Sequence, residues 1–198
     1  MFSKVLIANR GEIAVRIIRA CQSLGIETVA AVSEADRESM AARLAKRAVC
    51  IGPARSTDSY LKVENLIAAA QGTGCDALHP GYGFLSERAS LAQACAENGI
   101  TFVGPSAQNI MHMGDKLEAR KIARSAGVPL VPGSDHAKNP HQAAQLAEGI
   151  GYPLLLKASA GGGGRGIKLV WNKDEIENTF RTAAAEARAA FGNDTLYM

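Results

Sequence analysis

Five glycines in six positions are the feature of this sequence that points most directly to chemistry. The segment 161–166 reads Gly-Gly-Gly-Gly-Arg-Gly, comes shortly after Lys157, and leads into an apolar run that starts at Ile167. Because each glycine costs conformational entropy on folding, such a run is expected where the backbone must bend freely or approach a bulky group closely. Exposed backbone N–H groups beside a cation bind polyphosphates. The segment therefore predicts a phosphate-binding loop.

The residues after this loop distinguish three kinds of phosphate site. Gly161, Gly163 and Gly166 satisfy the pattern G-x-G-x-x-G, but a dinucleotide fingerprint opens a helix, whereas residues 167–171 have the pattern of a strand. A P-loop needs Gly-Lys-Ser/Thr and then a helix, and neither follows here. The remaining interpretation is a flap between two strands that folds over nucleotide phosphates and excludes water. A surface loop without a ligand stays open as the alternative.

Two cations lie beside the loop in sequence, and a third comes just before the small domain. Lys157 ends the strand that enters the flap, so its ammonium group can reach them. Arg165, inside the flap, can bind a phosphate with its fork of donors or can simply keep the open loop soluble. Lys116 begins a predicted helix, and by itself it has the pattern of a solvated charge.

A second unusual string runs from His79 to Glu87 and contains Tyr82 and Phe84. It leaves the carboxyl end of a predicted parallel strand, which is where ligands of open α/β sheets bind. A rigid turn filled by the two aromatic rings is the equal alternative. The string 8–12 occupies the analogous end of the first strand, but its single glycine is too few for a dinucleotide site, so we interpret it as a structural turn.

The elements that position these strings are predicted from apolar runs. Five short apolar runs are separated by helical patterns: Lys4–Ala8, Thr28–Val32, Ala48–Ile51, Ala77–His79 and Thr101–Val103. This alternation indicates a doubly wound α/β domain whose parallel sheet is covered on both faces. We predict three segments: the α/β domain at 1–104, a helical linker at 105–130 and a smaller α+β domain at 131–198. In the last of these, Asp174 is expected to cap a long helix, Asp174–Ala190.

Composition excludes several classes of protein. The 198 residues carry 22 basic and 19 acidic side chains, a net charge of +3, so no nucleic-acid partner is expected. No run approaches the ~18 apolar residues of a membrane span. A strand pattern starting just after Met1 argues against a secretory leader. Cys21, Cys50, Cys75 and Cys95 form no Cys-x-x-Cys pair, which argues against a zinc site and predicts a reduced, cytoplasmic chain.

Four strings span nearly the whole chain: Ile7–Ala14, His79–Glu87, Met113–Lys116 and Lys157–Gly166. Together, and in this order, they resemble the biotin carboxylase component of biotin-dependent carboxylases, which belongs to the ATP-grasp superfamily. The resemblance implies a Rossmann-like, pre-ATP-grasp first domain. It also implies that the small domain is the ATP-grasp lid (the B subdomain), and that the catalytic C-terminal domain lies beyond this chain.

The resemblance also implies an activity. Such an enzyme uses MgATP to activate bicarbonate and transfers the carboxyl group to N1′ of biotin on a carrier domain. This is the first half-reaction of a biotin-dependent carboxylase, here expected to be an acyl-CoA carboxylase with a carboxyltransferase subunit or domain as a further partner. A homodimer through the first helix is implied by Arg19, although Ser23 departs from the acidic residue of that contact.

Site residues are carried over from the resemblance one by one. The ATP-binding residues that the resemblance implies are Lys116, Lys157, Gly162, Gly163, Gly164, Arg165, Gly166 and Ile167. In the family, the two lysines match phosphate ligands, the flap glycines close on the phosphates, and the isoleucine packs near the adenine. Leu196–Met198 starts the strand that leads to the adenine contacts, and Tyr82 lines the biotin side. No catalytic residue or Mg²⁺ ligand is expected within the chain. Two alternatives stay open: another ATP-grasp carboxylate–amine ligase, or a non-catalytic nucleotide-binding or assembly module.

The first prediction concerns the 198 residues by themselves. We expect no biotin-dependent ATP hydrolysis, because phosphoryl transfer needs Mg²⁺-binding carboxylates and a base for bicarbonate that are expected beyond Met198. Phosphate release with bicarbonate, with and without free biotin, measures this. Release that increases with biotin would contradict the prediction.

Overall fold

The computed structural model describes residues 2–134, 136–159 and 166–198. The chain divides into two compact units, Met1–Gly114 and Asp115–Met198. The domain and linker boundaries expected from the sequence stay a prediction. Within the described residues, no helix is long and apolar enough to cross a bilayer.

The first unit alternates strands and helices. Its strands are β1 (Lys4–Ile7), β2 (Glu27–Val32), β3 (Arg47–Cys50), β4 (Ala77–His79) and β5 (Thr101–Phe102). Its helices are α1 (Gly11–Ser23), α2 (Met40–Leu44), α3 (Val63–Thr73), α4 (Ala89–Glu97) and α5 (Ala107–Gly114), with short 3₁₀ turns at Glu34–Asp36 and Ser56–Asp58.

All strand pairs of this unit are parallel, in the order β3-β2-β1-β4-β5. Strand β1 is buried on both faces, as a continuous apolar run predicts. Val5 and Ile7 pack in one core with residues of α1 and α2, whereas Leu6 and Ala8 pack in a second core with residues of α3 and α4. The predicted doubly wound α/β fold is confirmed. The strand order reverses between β1 and β4, which makes the carboxyl ends of these two strands the switch point where such sheets bind ligands.

The second unit is α+β. It contains α6 (Lys116–Ser125), α7 (Pro140–Ile150), β6 (Leu154–Ala158), β7 (Ile167–Val170), a 3₁₀ turn (Lys173–Glu175), α8 (Ile176–Phe191) and β8 (Leu196–Tyr197). The sheet is antiparallel, in the order β7-β6-β8, so β6 is the central strand.

The two faces of β6 differ in burial because successive side chains of a strand point to opposite sides. Leu154, Leu156 and Ala158 are buried in a core with residues of α7 and α8. Leu155 and Lys157 therefore lie on the other face. One face of the sheet stabilises the unit, and the other is available for a ligand.

Polar residues cap the first two helices of this unit. Asp115 caps α6 by accepting from the N–H groups of residues 117 and 118, and Asn139 caps α7. The predicted cap at Asp174 is wrong. Asn172 accepts from the N–H of Asp174 and so caps a 3₁₀ turn. Helix α8 begins only at Ile176, after Glu175, and has no side-chain cap of its own.

The contrast between neighbouring leucines of β6 gives a prediction about stability. Leu156 is fully buried and Leu155 is 41% exposed. Leu156→Ala is expected to lower the free energy of unfolding of the second unit by about 2–5 kcal/mol, because it leaves a cavity. Leu155→Ala is expected to lower it by about 1 kcal/mol or less.

Urea unfolding followed by the fluorescence of Trp171 measures both variants, because the chain has one tryptophan and it directly follows β7. Equal destabilisation by the two substitutions would contradict the assignment of the faces.

Candidate functional site

The exposed side of the second unit's sheet, here called the open face, consists of Leu155, Lys157, Ile167, Leu169 and Tyr197. Lys157 of the central strand is paired with Ile167 on one side and with Tyr197 on the other. Leu155 is paired with Leu169. Because directly paired residues share a face, these side chains form two adjacent rows. Leu155, Ile167 and Leu169 are 41%, 44% and 45% exposed.

This arrangement combines the two kinds of surface that a nucleotide needs. The apolar side chains suit an aromatic base, and Lys157, which lies between Ile167 and Tyr197, suits a phosphate. Lys157 has no ion pair with any residue in the described ranges. The structure therefore brings Lys157 and Ile167 together on one surface.

The predicted flap begins and ends beside this row. Its residues Gly162, Gly163, Gly164 and Arg165 lie outside the described residues. Where the strands meet again, the N–H of Ala158 donates to the carbonyl of Gly166 over 3.0 Å. Gly166 has φ +77°, and a Cβ there would lie 3.1 Å from the Ala158 side chain. The last flap glycine is therefore required both by its backbone conformation and by the close approach of β6.

Lys116, the other predicted phosphate ligand, is the first residue of α6. It is exposed and follows Asp115, whose side chain accepts from the N–H groups of residues 117 and 118 over 2.8 and 3.1 Å. The hydrogen bond from the N–H of Glu118 is the main cause that lowers the pKa of Asp115. The cap fixes the point at which the helix begins and, with it, the position of the lysine.

The end of β8 is held by the segment before α7. Ser134 donates its N–H to the carbonyl of Met198 over 2.9 Å, and its hydroxyl accepts from the N–H of Met198 over 3.3 Å. A Cβ on Gly133 would lie 2.5 Å from that carbonyl. Arg120 donates to the carbonyl of residue 131 over 3.2 Å. Burial raises the pKa of Tyr197, and the nearby Arg120 opposes this.

Tyr82 lies in the first unit, in the loop after β4. It is 60% exposed, and its hydroxyl donates to the carboxylate of Glu12. This hydrogen bond, with the negative charge of Glu12, raises the pKa of the Tyr82 phenol. Burial lowers the pKa of His79, whose Nδ1 accepts from the N–H of Gly81 over 3.0 Å. A neutral His79 thus braces the loop that presents Tyr82.

Arg19 lies on the exposed side of α1. It lines a groove of about 1030 Å³ whose walls are largely apolar and include Phe2, Val15, Leu24, Met40 and Val103. The predicted contact with a second copy at this helix stays a prediction.

Leu155 and Leu169 were not anticipated as site residues, and Tyr197 was anticipated only as part of the strand Leu196–Met198. The run Leu154–Leu156 is uniformly apolar, so no alternation shows which leucine is buried. The signal was the spacing: a residue two positions before Lys157 must share its face. In the first unit, the sequence predicts only a structural turn at residues 8–12, although Glu12 contacts Tyr82.

Within ranges 2–134, 136–159 and 166–198, no group of three or more His, Cys, Asp or Glu side chains could hold a metal ion. These residues therefore do not fit a Mg²⁺ cage of their own.

Comparison with known proteins identifies the family. Residues 115–198 match the family described as "Carbamoyl-phosphate synthase L chain, ATP binding domain", and residues 1–110 match "Biotin carboxylase, N-terminal domain". The combination defines a protein of the ATP-grasp class. The chain belongs to the biotin carboxylase N-terminal domain family, which confirms the resemblance drawn from its four strings.

Relatives and solved structures agree with this membership. Biotin carboxylase 1 of Bacillus subtilis is 53% identical over 199 residues, which cover 100% of this chain and 44% of the relative. A pyruvate carboxylase subunit of Methanothermobacter thermautotrophicus is 45% identical over 199 residues, which cover 100% of this chain and 40% of the relative. The chain thus spans less than half the length of these curated relatives.

Two crystal structures are similar over 100% of this chain and 44% of their own chains. One is a complex of biotin carboxylase with β,γ-ATP from Campylobacter jejuni, at 44% identity and a TM-score of 0.88. The other is the biotin carboxylase domain dimer of the Hydrogenobacter thermophilus 2-oxoglutarate carboxylase with MgADP, ADP and bicarbonate, at 47% identity and a TM-score of 0.85.

The contact between Tyr82 and Glu12 predicts a change in tyrosine titration. In Glu12→Gln, the phenol loses a neighbouring negative charge, so the pKa of Tyr82 is expected to fall toward its usual value of about 10. Tyr60, whose pKa burial raises to about 12, titrates separately.

Near-ultraviolet difference absorbance between the variant and the wild type measures the shift of one phenol. Glu97→Gln, which removes a carboxylate paired with Gln93 on α4, is the matched control. Superimposable titration curves for Glu12→Gln and the wild type would contradict the contact.

Proposed function

We propose that this chain provides the nucleotide-binding part of an enzyme that carboxylates biotin with bicarbonate at the expense of ATP. The observation that carries the proposal is the row Ile167–Lys157–Tyr197, which places a lysine between apolar side chains at the point where the glycine segment leaves and rejoins the sheet. The relatives that support it are biotin carboxylases over the whole length of the chain.

In this proposal the open face, Lys116 and the glycine segment have separate roles. Lys157 and Lys116 neutralise charge on the phosphates, which is the main requirement of phosphoryl transfer. Leu155 and Ile167 contact the adenine. The glycine segment, including Gly163 and Gly164, closes over the phosphates and excludes water. Mg²⁺ would be held by the phosphates of ATP and by carboxylates outside the described residues.

The second unit alone does not decide the reaction. Its family description is that of an ATP-binding domain of carbamoyl-phosphate synthase, so another ATP-grasp ligase has the same claim on residues 115–198. The first unit favours biotin, because residues 1–110 match the biotin carboxylase N-terminal domain. The carboxyl group is therefore proposed to pass to N1′ of biotin, with Tyr82 on the biotin side.

The remaining partners follow from the same proposal. A biotin carrier domain delivers biotin, and a carboxyltransferase passes the carboxyl group to the final acceptor. An acyl-CoA acceptor is our hypothesis; relatives named for pyruvate and 2-oxoglutarate carboxylases indicate that the matched region does not select the acceptor. A homodimer through α1 and a cytoplasmic location also stay predictions.

Lys157→Ala tests the open face in the complete protein. Loss of a charged hydrogen bond to phosphate, about 1.5–3 kcal/mol, is expected to lower kcat/KM for ATP by about 10- to 100-fold. The measurement is bicarbonate-dependent ATP consumption with free biotin.

Lys168→Ala is the matched control. Lys168 is the neighbouring lysine on β7, but it pairs with Glu186 of α8 over 2.8 Å, on the helix side of the sheet. Its removal should change kcat/KM by about twofold or less, as for exposed ion pairs. Equal effects of the two substitutions would show that charge near the flap, and not the open face, matters.

A further inference from the structure

The loop that carries Tyr82, residues 80–86, emerges at the switch point of the first unit's sheet. It follows β4 directly, and the neighbouring strand β1 continues into residues 8–12. The carboxyl ends of the two strands lie side by side, because Ile7 is paired with His79 and the N–H of Ala8 donates to the carbonyl of His79 over 3.0 Å. The residues after β1 are therefore within reach of the loop.

Asn9 makes the most direct contact. It is only 4% exposed, and its Nδ2 donates to the carbonyls of Pro80 and Tyr82, each over 2.8 Å. Its Oδ1 accepts from the N–H of Arg10 over 2.8 Å. Both amide protons are thus committed to the loop, and the orientation of the side chain is set by its own backbone. A buried side chain with two donors on one planar nitrogen is well suited to holding two carbonyls together.

Gly81, between those carbonyls, packs directly on Asn9. It has φ +67°, and a Cβ at this position would lie 2.9 Å from Asn9 Nδ2 and 3.1 Å from the side chain of Ile13. The loop therefore follows the surface of Asn9 more closely than any residue with a side chain would allow.

Arg10 holds the tip of the same loop through its aromatic residue. Its guanidinium carbon lies 5.5 Å from the ring centre of Phe84 and 5.6 Å from that of Tyr60, and the two rings stack at 5.0 Å. Phe84 has φ +42°, a conformation that a non-glycine residue keeps only when its surroundings hold it. Asp36 also forms an ion pair with Arg10, with its Oδ2 3.6 Å from Nη1 of the guanidinium.

Glu12 makes the third contact, by accepting a hydrogen bond from the hydroxyl of Tyr82. The chain just after β1 thus contacts the loop at the carbonyls of residues 80 and 82, at the ring of Phe84 and at the phenol of Tyr82. Loop residues on a surface are ordinarily free to change conformation. Here three side chains, two from the turn after β1 and one from the start of α1, remove that freedom.

We propose that Asn9 is a positioning residue for the biotin side of the site: with Arg10, it locks the loop 80–86 so that Tyr82 is presented in one orientation. The proposal rests on the proposed function in so far as Tyr82 faces biotin. Asn9 acts through Tyr82 and does not touch the reactants. Its loss therefore disturbs the use of biotin and leaves the use of ATP, which depends on residues of the second unit, unchanged.

Kinetics of the complete protein test this separation. In Asn9→Ala and Asn9→Asp, which both remove the two donors, KM for free biotin is expected to rise about tenfold or more. KM for ATP should stay within about twofold, the pattern of a change confined to one substrate. Asn65→Ala is the matched control, since Asn65 also donates to a backbone carbonyl, that of Ile51 over 2.7 Å, but outside the loop.

Hydrogen exchange of the 198-residue chain gives a second readout that does not depend on activity. In the Asn9 variants, the amides of residues 81–86 should exchange faster than in the wild type, while those of β1 and β2 keep their protection. If neither Asn9 variant folds, Arg10→Lys tests the same lock, because lysine keeps the charge facing Asp36 and loses the flat guanidinium over both rings.

Two results would overturn the inference: an unchanged KM for biotin, or a parallel rise of KM for biotin and for ATP with faster exchange across the whole sheet. A wild-type protein without biotin-dependent ATP consumption would instead refute the proposed function. The exchange of residues 81–86 would then still decide whether Asn9 locks the loop.

Discussion

The parallel pairing of β1 with β4 is the interaction on which the site of the first unit depends. It places Leu6 beside Leu78 in one core and Val5 beside Ala77 in the other, in the middle of the sheet. A slip of one residue would turn each of these side chains toward the opposite core, so the register is strongly determined. Since the strand order reverses between these strands, their carboxyl ends stay open and the chain segments beyond them can meet.

In the second unit, the central strand β6 contributes both to the core and to the proposed site. Alternate residues of β6 serve separate purposes: Leu156 contributes to the core under α7 and α8, and Lys157 faces outward between two neighbouring strands. In the proposed site, the residue that stabilises the unit and the residue that binds the nucleotide therefore occupy adjacent positions. In sequence, the glycine segment comes shortly after this strand, which supports the proposal that the segment and Lys157 serve the same phosphates.

Much of the fold was predictable because buried parallel strands appear as apolar runs. The five runs of the first unit correspond to β1–β5 with shifts of one residue at some ends. Local chemistry was less reliable before α8, where Asn172 caps a 3₁₀ turn and the predicted helix cap at Asp174 does not form. The open face was only half predictable, because the leucine run before Lys157 conceals which leucine is buried. That distinction depends on which side of the sheet the helices cover.

By itself, the sequence determined what is local or ordered along the chain. This includes the glycine segment, the lysine before it, the alternation of strands and helices, and the four strings that indicate the family. Only the tertiary structure decided which distant residues meet. Asn9 and Tyr82 are 73 positions apart, and residues 8–12 had the pattern of an ordinary turn. No periodicity records a contact between two strand ends, because it exists only once β1 and β4 are paired and both faces of the sheet are buried.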